Sequence, residues 1–137
     1  MKSKKYKNRT NKKDRLLFDH VVFHTKYNRK LLVDYIRIKA KIIICEIIKD
    51  YKFQVVEINV QLNHVHLLFS YPPSIASAKI VQRVKGISST LLRKQLPELV
   101  EKCPKALWSS GVHHSSVGND IHQVKKYIQY QSKHHHY

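Results

Sequence analysis

Two strand-like runs joined by a very short turn constrain the fold of this chain more than any other feature. Phe53 to Val60 is rich in β-branched residues, and Asn63-His-Val-His-Leu-Leu-Phe-Ser70 follows almost at once. Strands joined so tightly pair as an antiparallel hairpin, because a parallel pair needs a crossover of a dozen or more residues. A purely parallel sheet is therefore excluded. Leu16 to Thr25, rich in Val, Phe and Leu, reads as an earlier strand, and Leu107 to Val117 as a later one, bulged at Gly111. Helical spacing fills the gaps. Ile36, Ala40, Ile43, Ile44, Ile47 and Tyr51 recur on one face after a cap at Asp34. Ile80, Val84, Ile87 and Leu91 do so in a helix running from a cap at Ser74 to about Gln95, before Pro97. Gly86, beside the polar face of that helix, suggests a close approach by another backbone. A last helix starts at Gly118-Asn119-Asp120, capped by Asn119 or Asp120. The order β-α-β-β-α-β-α predicts an α+β domain, a ferredoxin-like or RRM-like antiparallel sheet with helices packed on it.

The chain has 137 residues, enough for one domain with a real core. We expect residues 16–137 to form that domain and 1–15 to be a flexible basic arm, since eight of its residues are Lys or Arg and one is acidic. Lys plus Arg total 26 against 9 Asp plus Glu, a formal charge of +17. Such an excess predicts a polyanionic partner, nucleic acid first and an anionic membrane surface second. No run approaches the roughly 20 apolar residues of a membrane span. Residues 1–15 hold no apolar run, so no signal peptide is expected there, and Cys45 and Cys103 form no C-x-x-C. A cytoplasmic location follows as the expectation, with nucleoid association when bound to DNA.

Strand alternation puts His64 and His66 on one side and Val65 and Leu67 on the other. Two neighbouring imidazoles begin a metal site, although a structural or solvated pair would show the same pattern. On the last helix Ile121, Val124 and Ile128 share a face, and Tyr127 and Gln131 stack along its edge. By itself that pair reads as a packing tyrosine and a solvated glutamine.

Together these pieces resemble the single-tyrosine HUH transposases of TnpA type, enzymes of small insertion sequences that move as single-stranded DNA. The resemblance runs from Val21-Val22-Phe-His-Thr-Lys26-Tyr27-Asn-Arg29-Lys30 through His64-Val65-His66-Leu67-Leu68 and Val84-Lys85-Gly86-Ile-Ser88-Ser89. It continues through Leu107-Trp108 and Ser116-Val117-Gly118 to Val124-Lys-Lys-Tyr127-Ile128-x-x-Gln131. One departure is Asn63, where the family often has Asp before the first His. His24 and the pair His113-His114 match no family ligand and read as surface or core residues; the His134-His135-His136 tail reads as an incidental chelator or a solvated end.

The resemblance implies Mg²⁺ (or Mn²⁺) held by His64, His66 and Gln131; by donor type alone Zn²⁺ would serve as well. It implies Tyr127 as the nucleophile that cleaves and rejoins single-stranded DNA at hairpin-marked ends through a 5′-phosphotyrosine. A phenol with an ordinary pKa near 10 needs activation for that role. The resemblance also implies a homodimer in which Tyr127 of one subunit serves His64 and His66 of the other. Candidate DNA contacts are Lys26, Arg29, Lys30, Lys85 and Arg93, with Arg83 set aside because it flanks the apolar stripe. Two alternatives remain: a non-catalytic or domesticated hairpin-DNA-binding protein of the same fold, and a relaxase or replication initiator. The second is usually larger and places its tyrosine differently.

Overall fold

The computed structural model describes residues 16–118 and 121–134. The arm at 1–15, the capping pair Asn119 and Asp120, and His135 and His136 lie outside the described residues. The chain runs β1 (Leu17–His24), a 3-10 turn (Lys26–Asn28), α1 (Asp34–Asp50), β2 (Gln54–Val60), β3 (His64–Tyr71), α2 (Ser77–Gln95), α3 (Pro97–Lys102), β4 (His113–Gly118) and α4 (Ile121–His134). The strands form one sheet in the order β2-β3-β1-β4, antiparallel throughout. That is the ferredoxin-like order with helices packed on the sheet, as the hairpin and the alternation of elements predict.

The two faces of the sheet differ in chemistry. Register pairs Val21 with Leu67 and Phe23 with Val65. These side chains are fully buried and share a core with Ile36, Ala40 and Ile44 of α1 and Ile80, Val81 and Val84 of α2. One residue along, the register pairs Val22 with His66 and His24 with His64. Directly opposed residues of an antiparallel pair project to the same face. The imidazoles therefore stand on the face turned away from the main core, where α4 lies.

Several expected details differ. Asp34 is not a cap but the first residue of α1, after Val33; a carboxylate in the first turn still suits the helix dipole. Helix α2 starts at Ser77 rather than after Ser74, because Pro72 to Ile75 close a turn, Ile75 N donating to Pro72 O. Its buried stripe is Ile80, Val81, Val84, Ser88, Ser89 and Leu92, whereas Ile87 is 38% exposed. The rotation has a polar cause. Trp108 Nε1 donates to Ser88 Oγ (2.9 Å) and Leu107 N donates to Ser89 Oγ (3.0 Å), both in the interior. Trp108 meets Phe23 edge-on, with centroids 4.8 Å apart. Ser88→Ala strands the buried indole N–H, and we expect it to destabilise the fold by about 1–3 kcal/mol in denaturant titration.

The strand expected over 107–117 is two pieces. Trp108 forms an isolated bridge with Thr25, and regular pairing resumes only at His113. Between them the Lys85 ammonium donates to Ser109 O (2.7 Å) and Gly111 O (3.1 Å), carbonyls that a continuous strand would turn toward a neighbour. Gly86 faces open space: a Cβ there would meet nothing within 4 Å. The close backbone approach suggested by its sequence position is absent.

Candidate active site

The site is assembled from two central strands and the last described helix. Rings follow one another across the sheet. His24 and His64 have centroids 5.3 Å apart, His64 and His66 5.0 Å, His66 and His20 5.3 Å, and His20 and Tyr127 5.2 Å. Sequence alternation puts His64 and His66 together; the antiparallel partner β1 adds His20 and His24 to the same face.

Hydrogen bonds fix these rings. His64 Nδ1 lies 2.8 Å from Asn63 Oδ1. An amide oxygen only accepts, so Nδ1 carries the proton and Nε2 is the lone-pair nitrogen of the neutral ring. This is the outer-sphere support typical of a metal-binding histidine. Asn63, the residue that departs from the family pattern, thus orients His64 as a carboxylate would. His66 Nδ1 lies 3.2 Å from His20 Nε2, and His20 Nδ1 is hydrogen-bonded to the Tyr127 hydroxyl. His20 is 7% exposed. It therefore links the tyrosine to the His-Val-His strand inside one chain.

Sequence reasoning missed His20. The available signal was alternation in Asp19-His20-Val21-Val22-Phe23-His24: with Val21 and Phe23 in the core, His20 and His24 must face the other way. Which strand lies beside β1, and in what register, is not written locally.

Gln131 is on α4, one helical turn beyond Tyr127, and its side chain lies outside those described. So do the side chains of Ile121 and Ile128, while Val124 is buried at 2% exposure, as the apolar face of α4 requires. Among the described residues no three His, Cys, Asp or Glu side chains converge on a metal site. The expected ligand set has only two such residues and an amide. The lone-pair nitrogen that Asn63 leaves on His64 is a donor of the type a divalent cation takes.

His114, which matches no family ligand, has a structural role. Its Nδ1 lies 2.6 Å from Asp19 Oδ2, tying β4, and the helix that follows it, to β1. His113 and His24 are exposed.

The candidate DNA contacts divide into two groups. Arg29, Lys85 and Arg93 each hold backbone carbonyls: Arg29 that of Lys102 (2.7 Å), Lys85 those of Ser109 and Gly111, and Arg93 those of Ser89 (3.2 Å) and Pro104 (3.0 Å). Partial burial also holds the Lys85 ammonium below its usual pKa. Lys26 and Lys30 stand on the loop after β1. The Tyr27 ring there is 78% exposed, with Lys26 Nζ 5.6 Å and Arg29 Cζ 5.8 Å from its centroid. Tyr27 has φ 59°, a conformation rare for a bulky residue and often found at functional sites. The loop adjoins the histidines, since Thr25 N donates to Asn63 O at 2.9 Å.

Known proteins resemble this chain in sequence and fold. A transposase of insertion sequence IS200 from Salmonella typhimurium is 26% identical over 113 residues, covering 82% of this chain and 74% of that protein. The ISDra2 transposase TnpA of Deinococcus radiodurans is 30% identical over 118 residues, covering 82% and 81%. The crystal structure of a candidate transposase from Deinococcus radiodurans R1 superposes with a TM-score of 0.70 at 25% identity, covering 89% and 93%. A REP-associated tyrosine transposase bound to a REP hairpin shares the fold, with a TM-score of 0.60 at 13% identity over 86% and 68%. The model of the IS200-like transposases matches residues 15–131, and the chain belongs to that family.

Proposed function

We propose that this transposase cleaves and rejoins single-stranded DNA at hairpin-marked element ends, with Tyr127 as nucleophile and a divalent cation, Mg²⁺ or Mn²⁺, at His64, His66 and Gln131. The observation that supports the reading is the linkage of the Tyr127 hydroxyl to His66 through His20, a hydrogen-bonded path between the proposed nucleophile and a candidate ligand. When bound, the cation would act as Lewis acid on the scissile phosphate and as a template for it. Three neutral ligands would leave its charge undiminished.

The chain's residues account for the rest. The Tyr127 oxygen attacks phosphorus, the bond from phosphorus to the 3′ oxygen breaks, and a 5′-phosphotyrosine and a 3′-hydroxyl result. The phosphodiester is exchanged rather than hydrolysed, so a 3′-hydroxyl can reverse the step and join a new strand without ATP. Lys26, Arg29, Lys30, Lys85 and Arg93 supply positive charge for the backbone, Arg29, Lys85 and Arg93 while bracing carbonyls. The exposed Tyr27 ring, flanked by cations, suits stacking of an unpaired base. No helix among the described residues is long and apolar enough to cross a membrane. In the cell we place the protein in the cytoplasm, on the nucleoid when DNA-bound.

The test is incubation with a single-stranded oligonucleotide carrying the element's own hairpin end, with and without Mg²⁺, followed by a denaturing gel. A covalent protein–DNA band that needs the cation is expected. Binding without any such band would favour the non-catalytic reading.

We also propose a homodimer with shared sites. Helix α4 follows the sheet's edge strand closely, and exchanging it between subunits would recreate the Tyr127–His20 contact across the dimer. Mixing Tyr127→Phe with His66→Ala subunits should then restore cleavage, since one composite site per heterodimer is intact. Sites confined to single chains would leave the mixture inactive.

A further inference from the structure

We propose that His20 is a positioning residue whose proton is set by the cation, so that loading the metal turns the Tyr127 oxygen into a hydrogen-bond acceptor. The inference rests on the metal reading above, and on ring geometry that no residue pattern announced.

The His20–His66 contact is a hydrogen bond in the ring plane. The rings are 14° from parallel and 5.3 Å apart between centroids, with nitrogens 3.2 Å apart. Rings stacked face to face would bring their centroids much closer than that. A separation this large across a short nitrogen contact requires the rings to meet edge to edge. Two facing imidazole nitrogens can share only one proton, so one ring donates and the other accepts.

That constraint propagates. A cation on His66 Nε2 needs the lone pair there, so the proton of the neutral ring sits on Nδ1. Nδ1 then donates to His20 Nε2. His20, neutral in turn, carries its proton on Nδ1 and presents it to the Tyr127 oxygen. The phenol oxygen becomes an acceptor on that side, and its own proton points away from His20. The reverse arrangement has the tyrosine donating to His20 and His20 donating to His66. It leaves the His66 proton on Nε2, where a cation would have to displace it. One buried ring, 7% exposed, therefore couples ligand readiness on β3 to nucleophile orientation on α4.

The test uses the full chain labelled with ¹⁵N-histidine. In the Mg²⁺-loaded protein, His20 Nδ1 is expected to show the shift of a protonated nitrogen and Nε2 that of a lone-pair nitrogen; the opposite pattern overturns the proposal. Isothermal titration with Mn²⁺ gives a second readout. His20→Phe keeps a ring of similar size but has no nitrogen, and should weaken Mn²⁺ binding by about 10–100-fold, as loss of an outer-sphere partner does. His20→Gln, which can still accept from His66 Nδ1, should recover part of that loss. Wild-type affinity in folded His20→Phe overturns the relay while leaving the metal reading intact. A wild-type protein whose Mn²⁺ affinity is unchanged by His64→Ala overturns both.

Discussion

Tyr127→Phe is expected to bind the hairpin oligonucleotide as wild type does and to form no covalent adduct. The substitution removes one oxygen. The ring stays against His20, and none of the basic residues that would face the DNA changes. Affinity measured by gel shift or anisotropy should therefore stay within about twofold, since phosphate contacts dominate nucleic-acid affinity. Cleavage should fall by on the order of 10⁴-fold or more, the scale of losing a covalent nucleophile. Residual cleavage near the wild-type rate would show that another group attacks the phosphate. A large loss of binding would place Tyr127 in recognition rather than chemistry.

His66→Ala is expected to be nearly as damaging for a different reason. His66 is a proposed ligand, and its Nδ1 is also the partner of His20. Its removal costs the Lewis acid one of three ligands and frees the ring that holds Tyr127. Losing about 4 kcal/mol of charge stabilisation corresponds to roughly a 10³-fold slower cleavage. Stability should suffer far less, because His66 stands on the face opposite the main core and is only half-buried. A thermal melt close to wild type combined with lost cleavage is the expected signature. A collapsed melt would mark the histidine as structural.

The two effects come from residues of unequal legibility. His64 and His66 are two apart in a run bounded by a turn, and strand geometry alone puts them on one face. Tyr127 and Gln131 sit one helical turn apart, again a local relation. The hairpin, the long helices and the antiparallel class were readable for the same reason: each depends on neighbours in sequence. His20 was not readable, because its role depends on β1 lying beside β3 with Val22 opposite His66, a pairing across more than forty residues. The rotated stripe of α2 was hidden for a related reason. Ser88 and Ser89 are polar residues outside the apolar stripe that spacing predicts, and they are buried because Trp108 and Leu107 arrive from a distant loop to use their hydroxyls. Lys85, which looks like a cation for phosphate, is half-buried against carbonyls that sequence spacing does not bring near it.

Asn63 sharpens the same point. A departure from a family pattern reads as a weakness when only the residue type is known. In place, the amide oxygen accepts from His64 Nδ1 at 2.8 Å, and the tautomer needed for a ligand is secured without a carboxylate.

In the proposed reaction Tyr127 becomes joined to the 5′ phosphate of a cleaved strand. The most direct measurement is peptide mapping by mass spectrometry of wild-type protein trapped with a hairpin-bearing single strand and Mg²⁺. The account predicts one modified peptide, carrying a 5′-linked nucleotide on Tyr127. A nucleotide on any other residue, or a cleaved strand with no residue modified, would contradict it.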